Sequence, residues 1–164
     1  MDLLIGEFNN TLDDKGRVSL PSRFRSILPG NKVFLTQGGE DCIWVCPPEF
    51  WEDLLQKVLN STSIFKASSR VVRRRIIGPA QEVEIDKAGR IAIPQSLRDF
   101  AGLSKDCIIL GQLEYMEIWN IDRYRNYKGS TEAEFRMSFE ELGASAEAEA
   151  RSFIRGLDPE KSRE

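Results

Sequence analysis

One nine-residue phrase occurs twice in this chain, and no fold that ignores it can be right. The copies are Asp13-Asp14-Lys15-Gly16-Arg17-Val18-Ser19-Leu20-Pro21 and Asp86-Lys87-Ala88-Gly89-Arg90-Ile91-Ala92-Ile93-Pro94. The same 73 positions separate Asp13 from Asp86 and Pro21 from Pro94. A repeat held in register over such a distance means two copies of one supersecondary unit, each needing the other to cover an apolar face. Within a copy, Val83 and Ile85 alternate with Glu82 and Glu84, and Ile91 and Ile93 alternate with Arg90 and Ala92. That period of two predicts short strands with one buried face. Asp-x-x-Gly between them is a tight turn, its Asp accepting backbone N–H groups and its Gly supplying positive φ. Read locally, the two strands make a hairpin. Pro then opens a helix, whose apolar face is Phe24, Ile27 and Leu28 in one copy and Leu97, Phe100 and Ala101 in the other. Gly30 and Gly102 are the expected helix stops.

The remaining pattern fits around the repeat. An opening strand from Leu3 to Leu12 turns Phe8 and Leu12 inward, and Val33–Thr36 and Cys42–Val45 form a strand pair across a Gly-rich turn. Pro47-Pro48 starts an amphipathic helix with Phe50, Leu54, Leu55 and Val58 on one face. Ser68 or Ser69 is the expected cap of an Arg-rich helix ending near Gly78-Pro79, its docked face marked by Val71, Val72, Ile76 and Ile77. Cys107–Leu110 and Met116–Trp119 repeat the strand pair. Thr131-x-x-Glu134 reads as a capping box, followed by a helix broken or bent at Gly143. The division is therefore a unit over 7–49, a helical connector over 50–79, a second unit over 80–123 and a helical, acidic tail over 124–164. The class is α+β, mainly β with short helices.

Charge must be located before it is interpreted. The net charge is −3, but residues 130–164 carry nine acidic and five basic groups, leaving the remainder at +1. Lys15, Arg17, Arg23 and Arg25 gather in the first unit, and Arg70, Arg73, Arg74 and Arg75 precede the second. The tail's acidic excess should repel DNA. No apolar run approaches the ~18 residues of a membrane span, and the N-terminus lacks a basic leader, so a cytoplasmic place is expected. Cys42, Cys46 and Cys107 are an odd set without His anywhere; we read them as small apolar core residues rather than as disulfides or metal ligands.

Arg17 and Arg90 fall on the face opposite Val18/Leu20 and Ile91/Ile93, beside a tight turn and small Ser19 or Ala92. There they can approach a phosphate or a base edge. A local ion pair to Asp13 or Asp86 is the plainer role, and the two are compatible. Gly16 and Gly89 would let the backbone come close to a duplex. Trp44, Trp51 and Trp119 sit in apolar patterns and read as core or interface anchors. A hydrolase built on two pseudo-symmetric Asp residues is a poor fit, since each has an Arg four residues on that would hold it ionised, whereas a shared-proton dyad needs repelling carboxylates. No catalytic residue, cofactor, metal or small-molecule substrate is expected.

Two copies of D-x-x-G-R-[VI]-x-[LI]-P, each followed by an amphipathic helix, resemble the SpoVT/AbrB class of DNA-binding units. Two such units in one chain resemble the MraZ family of bacterial transcriptional regulators, associated with the division and cell-wall gene cluster. The likeness covers roughly residues 1–125. It implies a swapped-hairpin β-barrel made by both halves of one chain, a ring-shaped homo-oligomer, and double-stranded promoter DNA with direct repeats as the partner in the nucleoid. It implies DNA contact by Lys15, Arg17, Lys87 and Arg90, with Asp13, Gly16, Asp86 and Gly89 shaping the turns. Asp14 stands where the second copy has Lys87, so the two faces differ in charge. An antitoxin-like protein-binding module of the same fold is the alternative.

Overall fold

The computed structural model describes residues 2–157. Its first unit runs through Tyr124 and its second begins at Arg125. In the first unit the chain forms β1 (Glu7–Thr11), β2 (Arg17–Ser19), α1 (Ser22–Ile27), β3 (Lys32–Gln37) and β4 (Ile43–Cys46). Then come the helices α2 (Pro48–Ser61) and α3 (Ala67–Ile76). The plan returns as β5 (Gln81–Glu84), β6 (Arg90–Ala92), α4 (Gln95–Ala101), β7 (Asp106–Gly111) and β8 (Met116–Asn120), with α5 (Ile121–Ser130) and α6 (Glu132–Gly156) after it.

The strands do not pair within their own repeat at the turn. A six-stranded antiparallel sheet runs β1-β7-β8-β4-β3-β5, and β2 pairs with β6 in a second, two-stranded sheet. β1 of the first repeat lies on β7 of the second, and β5 of the second lies on β3 of the first. The local hairpin is thus corrected to a swapped one: the turn closes, and the strands beyond it part to opposite sheets. Alternation of side chains fixes which face of a strand is buried, not which strand it pairs with. The swap gives every strand an apolar partner from the other half. The ladders of the large sheet end at β1 and β5 and do not close into a barrel.

The core lies between the sheets. Val18, Leu20, Phe24, Ile91, Ile93 and Leu97 meet Leu35, Ile43, Ile109 and Ile118, all almost fully buried. Phe8 packs edge-on against Phe24, centroids 5.1 Å apart, a geometry suited to the ring quadrupoles. Both short helices start one residue later than expected, with Pro21 and Pro94 at the cap. Gly102 does end α4 in the left-handed conformation, whereas α1 ends at Leu28 and Gly30 lies beyond it.

The connector is docked in part as the pattern suggests, with Ile76 and Ile77 half-buried, and in part by other groups. Val71 and Val72 are exposed, while Ser69 is buried. The Ser69 hydroxyl does not cap α3; it accepts the Ser63 N–H at 3.0 Å. Thr36 Oγ1 donates to the Ile76 carbonyl at 2.6 Å, tying the last turn of α3 to β3. Trp51 is buried and stacks on Phe34 at 5.5 Å, Trp119 is buried, and Trp44 is half-buried.

In the second unit α6 runs unbroken through Gly143. The surrounding Ala and Glu favour helix enough to absorb the ~1 kcal/mol that a central Gly costs. Thr131 stands at the cap, but its hydroxyl donates back to the Tyr127 carbonyl at 2.7 Å, so the capping box is not formed. No helix of the described residues is long and apolar enough to cross a membrane.

Candidate nucleic-acid interface

The two turns are built alike, bond for bond. Asp13 Oδ1 accepts the Lys15 and Arg17 N–H groups, each at 2.9 Å, and Oδ2 accepts Arg17 Nε at 2.7 Å. Asp86 Oδ1 accepts the Ala88 and Arg90 N–H groups at 2.9 Å, and Oδ2 accepts Arg90 Nε at 2.9 Å. One carboxylate thus shapes the turn and orients the arginine after it. The Arg17 backbone N–H chiefly, opposed by some desolvation and reinforced by the guanidinium, holds Asp13 below its ordinary 3.8. Arg90 does the same for Asp86. A depressed folded pKa means that the turn bonds contribute above pH 3.8 and are lost as acid passes the lower folded value. In carboxyl-carbon NMR titrations both Asp residues should therefore titrate below 3.8; midpoints at or above it would mean that these bonds do not form in solution. Two lowered, ion-paired carboxyls are also the opposite of a shared-proton dyad.

The antiparallel register of β2 on β6 brings the halves together. Arg17 lies opposite Ala92, and Arg90 opposite Ser19, with Val18 and Ile91 paired beneath. One outer face therefore presents two half-exposed guanidiniums separated only by small side chains. Lys15 and Lys87 stand exposed in the turns.

Two further arginines belong to this face, and the sequence reading passed over their role. Gly16 (φ +73°) and Gly89 (φ +79°) are buried, because each is covered by an arginine of the other repeat. A Cβ on Gly16 would meet the Arg98 guanidinium, and one on Gly89 would meet that of Arg25. The glycines admit a side chain from across the dyad, so they do not bare the backbone to a partner. Their carbonyls cross as well: Gly89 accepts Leu20 N–H and Gly16 accepts Ile93 N–H, each at 2.9 Å. Arg98 Nε is buried without a hydrogen-bond partner. The signal was present, since Arg25 and Arg98 each stand four residues after the repeat's Pro.

The Arg-rich helix is largely occupied with its own fold. Arg70 Nη1 donates to the Ile64 carbonyl at 2.8 Å, Arg73 Nε to Thr62 Oγ1 at 2.9 Å, and Arg75 lies 5.1 Å over the Phe100 ring. The cysteines are buried free thiols, with burial pushing Cys46 up to about 12 and Cys107 to about 11. Cys42 approaches Glu40 and Glu117. Yet the Glu117 oxygens accept N–H groups from Trp44 at 3.2 Å, Trp119 at 3.2 Å and Gln112 at 3.3 Å. A carboxylate so supplied with donors, beside a thiol held protonated by burial, is a satisfied core group rather than a cation ligand.

Two interlocked AbrB-like repeats, sharing a sheet and exchanging arginines over their turns, define a double-unit protein of the SpoVT-AbrB kind. The family model described as "MraZ protein, putative antitoxin-like" matches residues 3–75 and again 76–145, and the chain belongs to the MraZ family. It is 45% identical over 140 residues to the "Transcriptional regulator MraZ" of Treponema denticola, covering 85% of this chain and 97% of the relative. The same name is carried by relatives in Treponema pallidum, 46% identical over 137 residues (84% and 92% covered), and Natranaerobius thermophilus, 38% identical over 140 residues (85% and 96%).

Proposed function

We propose that this chain is a sequence-specific transcriptional regulator that binds double-stranded promoter DNA through the outer face of β2 and β6, in the cytoplasm at the nucleoid. Direct repeats upstream of its own operon are the sites, and a ring of identical subunits binds them. The observation that carries the reading is the pair Arg17 and Arg90, side by side on one exposed face and each fixed by its own Asp. Fixed guanidiniums lose little freedom on meeting a phosphate or a guanine edge. Lys15 and Lys87 add mobile charge, and Arg25 and Arg98 extend the face. Such a two-stranded ribbon also fits the width of a major groove.

The test is Arg17→Ala with Arg90→Ala, measured on promoter fragments across a salt series. Affinity should fall while circular dichroism stays native. The salt slope should become shallower by ~1 for each phosphate contact removed, or sequence preference should relax where a base is read. Wild-type binding by the double variant would sink the assignment. The family description favours a second reading, an antitoxin-like grip on another protein; that partner should bind the variant and wild type alike if it uses another face.

A further inference from the structure

The β2/β6 face is nearly twofold, and a twofold face has no direction. Its two turns make the same bonds, Arg25 and Arg98 roof opposite glycines, and Arg17 and Arg90 hold equivalent places in the register. Turned end for end, its backbone would meet a duplex in the same way. Any direction must come from side chains that differ between positions 73 apart.

The face has two ends, each built by both halves of the chain. One joins the 86–90 turn to α1, through Arg25 over Gly89 and the Leu20 N–H on the Gly89 carbonyl. The other joins the 13–17 turn to α4, through Arg98 over Gly16 and the Ile93 N–H on the Gly16 carbonyl. In each turn the Asp–Arg pair is compensated internally. What remains differs. The α1 end carries exposed Lys87, Arg23 and Arg25 with no further acid in its turn or helix. The α4 end sets exposed Asp14 and Asp99 against Lys15 and Arg98, which cancels. Of the four charge differences between matched positions, three run one way: Lys87 for Asp14, Arg23 for Ser96 and Ser26 for Asp99. Lys15 for Ala88 runs the other way. Glu82 and Glu84 precede the 86–90 turn but belong to the large sheet, where Glu82 lies 3.3 Å from Lys32 Nζ and Glu84 stands opposite Lys32.

We infer that this charge difference gives a docked subunit one direction on the duplex. Arg23, Arg25 and Lys87 close on phosphates at the α1 end, while Asp14 and Asp99 hold the α4 end off the sugar–phosphate backbone. Reversed docking presses two carboxylates toward phosphate, a like-charge juxtaposition that is strongly disfavoured. Charges farther away than about 8–10 Å are screened at physiological salt, so the residues at the two ends decide rather than the net charge of the chain. The box read by one subunit is then non-palindromic, although the face that reads it is nearly twofold. The inference rests on the proposed function and adds the residues that set the polarity of its site.

Direction can be read with an iron–EDTA chelate tethered to a new cysteine on the full-length protein, bound to a one-box promoter duplex. Ser22→Cys and Gln95→Cys place the tether at matched first residues of α1 and α4, and the three native thiols are buried. Each tether should cut one flank of the box, the two on opposite flanks, with a bias of roughly tenfold or more. Exchanging the charges, by Asp14→Lys, Lys87→Asp, Arg23→Ser and Ser96→Arg together, should swap the flanks. The smaller exchange, Asp14→Lys with Lys87→Asp, alters exposed turn tips alone and should bring the bias near parity, so it decides the matter if the larger one does not fold. Both tethers cutting both flanks before any exchange, or a bias unchanged by the smaller exchange, would overturn the inference and leave the DNA face standing. Bound DNA that neither tether cuts would put the duplex elsewhere and sink the proposed face along with its direction.

Discussion

On an operator with three boxes in one direction, the protein should bind roughly 10²–10⁴-fold more tightly than on one box, with no new type of contact. A single site is weak by construction. It offers a handful of cations on a chain of net charge −3, and phosphate contacts lose affinity steeply at physiological salt. Fusion of two repeats also uses up the self-pairing surface inside the chain: β2 meets β6 and β4 meets β8 within one subunit. In the ring proposed above, subunits would associate head-to-tail and face the same way along the DNA. Inverting one box, or shifting it by half a helical turn, should remove most of the gain. Titrations of labelled one-, two- and three-box duplexes read this directly. Equal affinity for one box and three would end the multivalent mechanism even if DNA binding held.

The second large effect is expected at Gly89, with Gly30 as its control. Both adopt positive φ, +79° and +78°, but Gly30 has open space around it while Gly89 lies under Arg25. Alanine at either position should cost about 1–2 kcal/mol from the left-handed backbone alone. The Arg25 side chain is flexible and can swing away from a new methyl, so melting should not separate the two variants. DNA binding should. Gly89→Ala displaces a guanidinium from the face, with an expected loss of roughly 10–100-fold for a contact worth ~1–3 kcal/mol, whereas Gly30→Ala should bind normally. If both variants bind like wild type, Arg25 is not part of the interface. Gly16→Ala should mirror the result through Arg98.

Much of this was legible in the sequence because a repeat constrains more than a pattern does. Asp13 and Asp86 were placed as turn formers, and Val18 and Ile91 as inward residues, from spacing alone. What spacing could not supply was partnership. Alternation showed that Val83 faces inward, but its pairing with Val33 of the other repeat is a tertiary choice made by the swapped sheet. The local motifs failed for a related reason. Ser69 and Thr131 each resembled a cap, yet a hydroxyl takes whichever backbone group is nearest, the Ser63 N–H in one case and the Tyr127 carbonyl in the other. Of the apolar residues expected to dock the Arg-rich helix, Ile76 and Ile77 are half-buried but Val71 and Val72 are exposed, and Thr36 ties the helix end through the Ile76 carbonyl.

The exchange of arginines across the dyad carries a consequence for heredity. Each turn is shaped by one half of the gene and roofed by the other, Gly16 with Arg98 and Gly89 with Arg25. A mutation that retunes one turn will often call for a second change in the opposite half of the coding sequence. Each turn and its roof are therefore coupled across the two halves of the coding sequence. Swapping one half for that of a distant relative should leave each turn under a mismatched roof.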